Sequence, residues 1–96
     1  MPKVTIEQRH QLEAKDVRER LDALNVRLAE KYGIEATWRS DTEATVKRSP
    51  GATGSIRCAP DCVTIQLELS FLLGPMKERI ESRIRRELAD ALRSMT

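Results

Sequence analysis

His10 is the only histidine of the chain and the first candidate for chemistry. An imidazole can act as a general base, but it needs a positioned partner, and no Ser or Cys nucleophile motif lies beside it. We therefore expect His10 to be a helix-entry or surface residue. A catalytic site assembled only in three dimensions is the alternative, and sequence spacing does not address it.

The two cysteines, Cys58 and Cys62, flank the turn-forming segment Ala59-Pro60-Asp61 and could face each other across a hairpin. Their C-x-x-x-C spacing differs from the C-x-x-C of redox and zinc motifs, and a zinc site needs at least three protein ligands. We expect two small, half-buried thiols, no metal and no cofactor. A disulfide would require suitable geometry and an oxidising compartment.

Gly51 and Gly54 have the G-x-x-G spacing that some RNA-binding modules place between two helices, where it approaches a phosphate backbone. Here the two glycines lie between predicted strands. We therefore expect them to serve a tight loop or a bulge that needs positive φ.

The C-terminal segment carries the strongest charge pattern. From Pro75 to Thr96 six basic residues outnumber four acidic ones, and Arg79, Arg83, Arg86 and Arg93 follow helical spacing beside an apolar stripe. An apolar stripe edged with arginine can attach a helix to an anionic lipid or polymer surface. The alternative is a helix that covers a sheet and presents a solvated outer face.

Length and composition limit the classes of function. Ninety-six residues make one domain, 1–96, and a net charge of +2 from interspersed charges argues against a dedicated nucleic-acid binder. No apolar run approaches the roughly 20 residues of a membrane span. The residues after Met1 show no export segment, so we expect a cytoplasmic protein with reduced thiols.

Hydropathy periods define the elements that must position these residues. Alternation predicts a strand over 3–9, and apolar residues at steps of three and four predict a helix from Leu12 to Tyr32 that ends at Gly33. Further alternation predicts strands at 34–38, 43–47 and 55–58. The clearest strand runs from Cys62 to Phe71, with inward residues Val63, Ile65, Leu67, Leu69 and Phe71.

Gly74-Pro75 ends that strand, and Pro75 suits the first turn of a second helix that runs to the C-terminus. Its apolar stripe comprises Met76, Ile80, Ile84, Leu88, Leu92 and Met95. The order β-α-β-β-β-β-α predicts an α+β fold in which two helices pack on one face of an antiparallel sheet. The expected main buried set is Leu21, Leu24, Leu28, Ile65, Leu67, Leu69, Ile80, Ile84 and Leu88.

Across its whole length the pattern resembles the polyhydroxyalkanoic acid system proteins, a bacterial family encoded in polyhydroxyalkanoate granule regions. The residues that carry the resemblance are His10, Ala14, Val17 to Leu28, Tyr32-Gly33, Trp38, Gly51, Gly54-Ser55-Ile56, Leu67 to Pro75, Lys77, Ile80-Glu81, Ile84 and Glu87-Leu88. Ser70 stands where the family has a glycine and Met76 where it has an aromatic residue. These two departures bear on the packing of the strand-to-helix junction.

The resemblance implies a role in storage-polyester metabolism or at the granule surface, and it implies no catalytic residues. We expect a non-enzymatic accessory protein that binds the granule surface, lipid, granule proteins or an apolar ligand. The arginine stripe and an apolar groove at Trp38, Leu69, Phe71 and Met76 are the expected contacts. The long apolar strand followed by a helix is also similar to helix-grip folds that bind lipids.

Two other classes of function stay open from the sequence. An open sheet has edges, so the chain could be a structural module that pairs with a partner or with itself as a homodimer. An enzyme acting on hydroxyacyl substrates is the other class, and only isolated polar residues such as His10 support it.

Overall fold

The computed structural model describes residues 3–48 and 51–93 and shows five strands and two helices in the predicted order. The strands are β1 (Lys3–Arg9), β2 (Glu35–Trp38), β3 (Glu43–Arg48), β4 (Ala52–Ala59) and β5 (Cys62–Leu69). The helices are α1 (Ala14–Tyr32) and α2 (Lys77–Ala91), and a 3₁₀ turn, Gly74–Met76, precedes α2. The α+β fold predicted from the sequence is confirmed.

The strands form one antiparallel sheet in the order β1-β5-β4-β3-β2. Because β1 and β2 form opposite edges, the chain between them must cross the whole sheet, and α1 makes that crossing. Hairpin connections join β2 to β3, β3 to β4 and β4 to β5. β5 lies between β1 and β4, one strand away from the centre of the sheet.

One face of the sheet is apolar and the other is polar, because the strand period of two separates the side chains. In-register pairs such as Ile6 with Ile65 and Ile65 with Ile56 place buried aliphatic residues side by side on the inner face. The opposite, outer face carries mostly exposed polar and charged residues, among them Lys47, Arg57 and Glu68. The helices therefore have one face to cover.

Helix α1 buries the residues that its periodicity selects: Val17, Leu21, Leu24 and Leu28. It ends where Gly33 adopts the left-handed conformation (φ 69°). The Gly33 N–H donates to the Ala29 carbonyl, and the Ile34 N–H donates to the Leu28 carbonyl. A residue without a side chain takes this conformation without strain, which is why the helix stops there.

Helix α2 begins later and ends earlier than the sequence predicts. Pro75 lies in the 3₁₀ turn, the α-helix starts at Lys77, and its last residue is Ala91. Ile84, Leu88 and Leu92 are buried as predicted, whereas Ile80 is only half-buried at the margin of the core. Met95 lies outside the described residues. The prediction that Ile80 is fully buried is therefore wrong, because its side chain borders an open groove.

Strands β4 and β5 also differ from their predicted bounds. β4 starts at Ala52, three residues before the predicted start, and β5 ends at Leu69. Beyond the pair of Ala52 with Leu69, the Ser70 N–H donates to the Gly51 carbonyl at 2.7 Å, and the chain then turns away from the strand. The N–H groups of Leu73 and Gly74 instead both donate to the carbonyl of Ser70, which forms a turn. The predicted inward position of Phe71 is therefore wrong.

Polar contacts fasten the two helices to each other. The guanidinium of Arg20 on α1 donates to the carbonyls of Ala91 and Arg93 at 3.2 and 2.6 Å, which satisfies acceptors at the end of α2. Glu87 of α2 lies 3.3 Å from the Nζ of Lys31 and 3.7 Å from the Nε of Arg27. These contacts set the position of α2, and with it the width of the space between the helices.

Candidate functional site

A groove of about 630 Å³ lies between the end of α1, the first half of α2 and the sheet. Its size falls within the roughly 300–1,000 Å³ of small-molecule sites. Most of its lining is apolar: Ile34, Ala52, Leu67, Leu69, Leu73, Met76, Ile80 and Ile84, with Tyr32 and Gly33 at the α1 end. The space is open to solvent on one side, so it can admit a ligand without unfolding either helix.

The floor of the groove is the end of the inner sheet face. Ala52 pairs with Leu69 on one side and Arg48 on the other, so a small residue separates two larger ones. Arg48 occupies an inward strand position, where its Nε donates to the carbonyl of Tyr32 at 2.8 Å. The short Ala52 side chain leaves space at the bottom of the groove, and Arg48 places a positive charge beside that space.

The charges at the groove are all of one sign. Lys31, Arg48, Arg79 and Arg83 line it, and no Asp or Glu is among the described lining residues. Lys31 is paired with Glu87, and Arg48 with the Tyr32 carbonyl. Arg79 and Arg83 form no ion pair or hydrogen bond with the described part of the chain. Their charges are thus available to an anion at the rim.

An exposed apolar corner stands where the chain turns from β5 to α2. Phe71 is 85% exposed, Leu72 75% and Met76 44%. We call these three residues the apolar corner. Phe71 and Leu72 immediately precede Leu73, which lines the groove, so corner and groove meet along the chain. Burying a Phe or Leu side chain is worth about 1.5–3 kcal/mol, so this corner favours an apolar contact.

The four residues predicted for the apolar groove are not brought together. Leu69 and Met76 do line the groove. Phe71 points away from the core, and Trp38 lies on the far edge strand β2 against Arg18 and Asp22 of α1. The alternation of residues 34–38 correctly places Trp38 on the inner face of the sheet. The strand order, which puts β2 at an edge, determines which part of the core Trp38 contacts.

The predicted arginine stripe divides into two parts. Arg79, Arg83 and Arg86 are exposed on α2, at spacings of four and three residues that place them along one side of the helix. Arg93 follows the end of the helix and pairs with Asp90 at 3.4 Å. We keep the name arginine stripe for Arg79, Arg83 and Arg86.

His10 and the cysteines lie at the opposite end of the sheet from the residue pair Ala52–Leu69 that floors the groove. The His10 backbone N–H donates to the Asp61 carbonyl, and the imidazole Nδ1 accepts from the Leu12 N–H at 3.1 Å. The imidazole therefore holds the segment that joins β1 to α1. Within the described residues, no three His, Cys, Asp or Glu side chains are grouped to hold a metal ion.

Cys58 and Cys62 are free thiols that point to opposite faces of the sheet. Cys58 shares the inward phase of Ile56 and packs against the core, whereas Cys62 precedes the inward Val63 and takes the outward phase. Burial raises the pKa of the Cys58 thiol, and the nearby Arg18 partly opposes this. The sheet geometry therefore places the two sulfurs on opposite faces.

The two glycines of the G-x-x-G segment serve different purposes. Gly51 has φ 124° in the turn before β4, which matches the expected positive φ. Gly54 is not in a loop: it lies inside β4, and a Cβ there would collide with the main-chain carbonyl of Gln66. The expectation of a loop role for Gly54 is therefore wrong, and close approach of two strands is what requires the glycine.

Two features of the site escaped sequence reasoning. Arg48 lies one residue beyond the predicted end of β3, and only its even spacing from Ala44 and Val46 signals an inward position. Leu72 extends the apolar run of β5 in the sequence. Gly74-Pro75, two residues later, is the sequence signal that the strand ends before this apolar run does.

Within residues 3–48 and 51–93, neither helix combines the length and apolar composition needed to cross a membrane. The structure is similar to the NMR structure of PA4090 from Pseudomonas aeruginosa, with a TM-score of 0.57 and 16% sequence identity over 99% of this chain and 88% of that chain. This likeness concerns the fold alone.

The crystal structure of TTHA0849 from Thermus thermophilus gives a TM-score of 0.49 at 12% identity and covers 95% of this chain and 94% of that chain. No curated protein matches the chain. A family model for polyhydroxyalkanoic acid system proteins matches residues 4–92. Because this match spans nearly the whole sequence, the chain belongs to the family of polyhydroxyalkanoic acid system proteins.

Proposed function

We propose that this protein is a non-enzymatic, cytoplasmic accessory protein of the polyhydroxyalkanoate system that binds the surface of the storage granule. The family name links the chain to that system. The observation that carries the surface role is the apolar corner, where Phe71 and Leu72 expose most of their side chains. A water-facing polyester or lipid boundary is an apolar surface that can bury them.

The arginine stripe supports the same contact. Arg79 and Arg83 follow the corner along α2, and Arg86 continues their line by one more turn. At such a boundary, arginine stems lie along the apolar region while their guanidinium groups reach anionic groups above it. Insertion of the corner and attraction by the stripe would therefore act on one side of the molecule.

Co-sedimentation with isolated native granules tests the role of the corner. The double variant Phe71→Ser/Leu72→Ser should lower the bound fraction at least tenfold, because each side chain contributes on the order of 1.5–3 kcal/mol when buried. Its melting temperature should stay near that of the wild type, since both residues are exposed.

Val26→Ser is the matched control, because Val26 is an exposed apolar residue of α1 outside the corner. It should sediment with granules as the wild type does. Equal sedimentation of the corner variant and the wild type would contradict the proposal.

The second candidate function is pairing with another chain through an edge of the sheet. The two edge strands support it less strongly than the apolar corner supports granule binding. β1 is an edge, and its exposed residues include Lys3, Glu7 and Arg9. Charged side chains on an edge strand disfavour strand pairing between copies. β2, the other edge, has only four residues and offers a short ladder.

A further inference from the structure

We propose that the groove binds one molecule of a single-chain carboxylic acid, with its hydrocarbon chain along the apolar floor and its carboxylate at Arg79 and Arg83. This inference goes beyond the granule-surface role, because it concerns a dissolved small molecule. It shares Arg79 and Arg83 with that role and adds the apolar interior of the groove. The groove interior holds the hydrocarbon chain, whereas Phe71 and Leu72 of the apolar corner do not line the groove and serve the surface role alone.

The shape and lining of the groove favour a hydrocarbon chain. Leu67 and Leu69 of β5 form its floor, and Ile80 and Ile84 of α2 form one wall. Leu67, Leu69 and Ile84 are buried core residues, whereas the Ile80 side chain is only partly buried. A chain of methylene groups in the groove would complete the burial of Ile80 and remove apolar surface from water.

The charges favour a carboxylate as the head group. Four cationic residues line the groove, and no carboxylate is among the described lining residues. Glu87 balances the charge of Lys31, but Arg79 and Arg83 have no ion-pair partner among the described residues. In a half-enclosed space of low polarity, their positive charge attracts an anion more strongly than it would in open water. A cationic amphiphile is disfavoured for the same reason.

Two of the four cations are already engaged and two are available. Lys31 is 3.3 Å from Glu87, and Arg48 donates to the Tyr32 carbonyl. Arg79 and Arg83 lie one helical turn apart on α2, without an ion-pair partner among the described residues. A guanidinium can donate two parallel hydrogen bonds to one carboxylate, so these two residues can hold the head group at the rim.

A hydroxyalkanoic acid, the unit that appears in the family description, has this chemistry: a hydrocarbon chain that ends in one carboxylate. Decanoate and 3-hydroxydecanoate are therefore suitable probes. Decanol is the matched uncharged probe, and butyrate carries the same charge on a chain too short to cover the floor.

Isothermal titration below micelle-forming concentrations gives the affinities. The wild type should bind decanoate saturably with one molecule per chain, and decanol and butyrate more weakly. Arg79→Gln/Arg83→Gln should weaken decanoate binding about tenfold or more and leave decanol binding unchanged, because it removes only the head-group contacts. Lys47→Gln/Arg57→Gln, which removes two charges from the outer sheet face, should bind decanoate as the wild type does.

Amide NMR spectra of the wild-type protein provide a readout that requires no variant. Decanoate should shift the amides of Leu69 and Ile80, whereas the Trp38 indole N–H, held by Asp22 outside the groove, should stay in place. Absence of saturable binding, including absence because a second copy covers the groove, would overturn the proposal. Equal decanoate affinity of the Arg79/Arg83 variant and the wild type would also overturn it.

Different results would contradict the granule-surface role and the groove proposal. Phe71→Ser/Leu72→Ser should lose granule binding and retain decanoate affinity, because neither residue lines the groove. Loss of decanoate binding in that variant, with its fold intact, would contradict the assignment of the ligand to the groove. If the wild-type protein binds granules but does not bind decanoate, the granule-surface role is supported and the groove proposal is contradicted.

Discussion

The indole nitrogen of Trp38 donates a hydrogen bond to Asp22 Oδ1 at 2.8 Å and so joins edge strand β2 to α1. The guanidinium carbon of Arg18 lies 3.8 Å from the centroid of the same ring. The only tryptophan of the chain is thus fixed between a carboxylate and a cation, outside the groove. Its fluorescence should report unfolding and should be insensitive to a ligand in the groove.

Replacing Trp38 with Phe should lower the free energy of unfolding by about 0.5–1.5 kcal/mol. The change keeps an aromatic ring beside Arg18 but removes the hydrogen bond to Asp22, whose net contribution at a partly exposed position is of this size. Urea unfolding followed by circular dichroism measures the difference.

Asp22→Asn is the companion to that variant, because its amide oxygen can still accept from the indole. It should cost less than Trp38→Phe. If Trp38→Phe unfolds at the wild-type urea concentration, the bond between β2 and α1 does not contribute to stability.

Leu67→Ala should lower the free energy of unfolding by about 2–5 kcal/mol. Leu67 is 4% exposed, on strand β5 between β1 and β4, and it pairs in register with Val4 and Gly54. The loss combines transfer of the removed atoms to water with the cost of a partly unfilled space. Chemical denaturation with circular dichroism detection is the measurement.

Gln66→Ala is the neighbouring control, since Gln66 is exposed on the outer face of β5. It should change stability by no more than about 0.5 kcal/mol. Equal effects of the two variants would show that the assigned faces of β5 are wrong.

The secondary structure is predicted correctly where a local sequence pattern alone determines it. β1 is predicted residue by residue, because strict alternation of apolar and polar residues is typical of a strand with one buried face. The end of α1 follows from Gly33, which supplies the left-handed residue that closes the helix.

The errors arise where partners distant in sequence decide the outcome. Phe71 continues the apolar alternation of β5, yet β5 ends at Leu69 and Phe71 lies in the turn that follows, where it is exposed. The neighbours of Gly54 include Pro50 and Gly51 and so favour a loop, but its role is the contact with the Gln66 backbone across the sheet. Local composition contains no information on that partner.

The candidate site is predicted only in part for the same reason. The arginine spacing on α2 follows from the helical period, and the sequence therefore indicates Arg79, Arg83 and Arg86. Trp38 is apolar and inward, which favours a place in the groove, but strand order puts it on the edge opposite β1. Which inward residues share a cavity depends on topology, and periodicity does not determine the order β1-β5-β4-β3-β2.

The Cys58 thiol should be alkylated more slowly in the folded protein than in the unfolded chain at pH 8. Burial raises its pKa above the ordinary value of 9.0, so less of the reactive thiolate is present. A Cys62→Ala background isolates Cys58, and iodoacetamide labelling followed by mass spectrometry gives the rate in buffer and in urea. Equal rates would contradict the burial of Cys58.

The raised pKa of Cys58 also sets the sign of a pH effect on stability. Its contribution is fully present below the ordinary thiol pKa and is lost as pH rises through the higher folded-state pKa. The difference in unfolding free energy between the wild type and Cys58→Ala should therefore shrink above about pH 9, the ordinary thiol value. A difference that grows with pH would contradict this sign.

Fluorescence imaging of the tagged protein, in cells with and without polyester granules, tests the granule-surface role most directly. The protein should be diffuse without granules and concentrate on them when they form. Arg79→Glu/Arg83→Glu/Arg86→Glu should remain diffuse in both conditions. Arg9→Glu/Lys47→Glu/Arg57→Glu, which reverses three charges on the outer sheet face, should still relocate. Circular dichroism must show that both variants fold. A wild-type protein that stays diffuse beside granules, or an α2 variant that still relocates to them, would contradict the account.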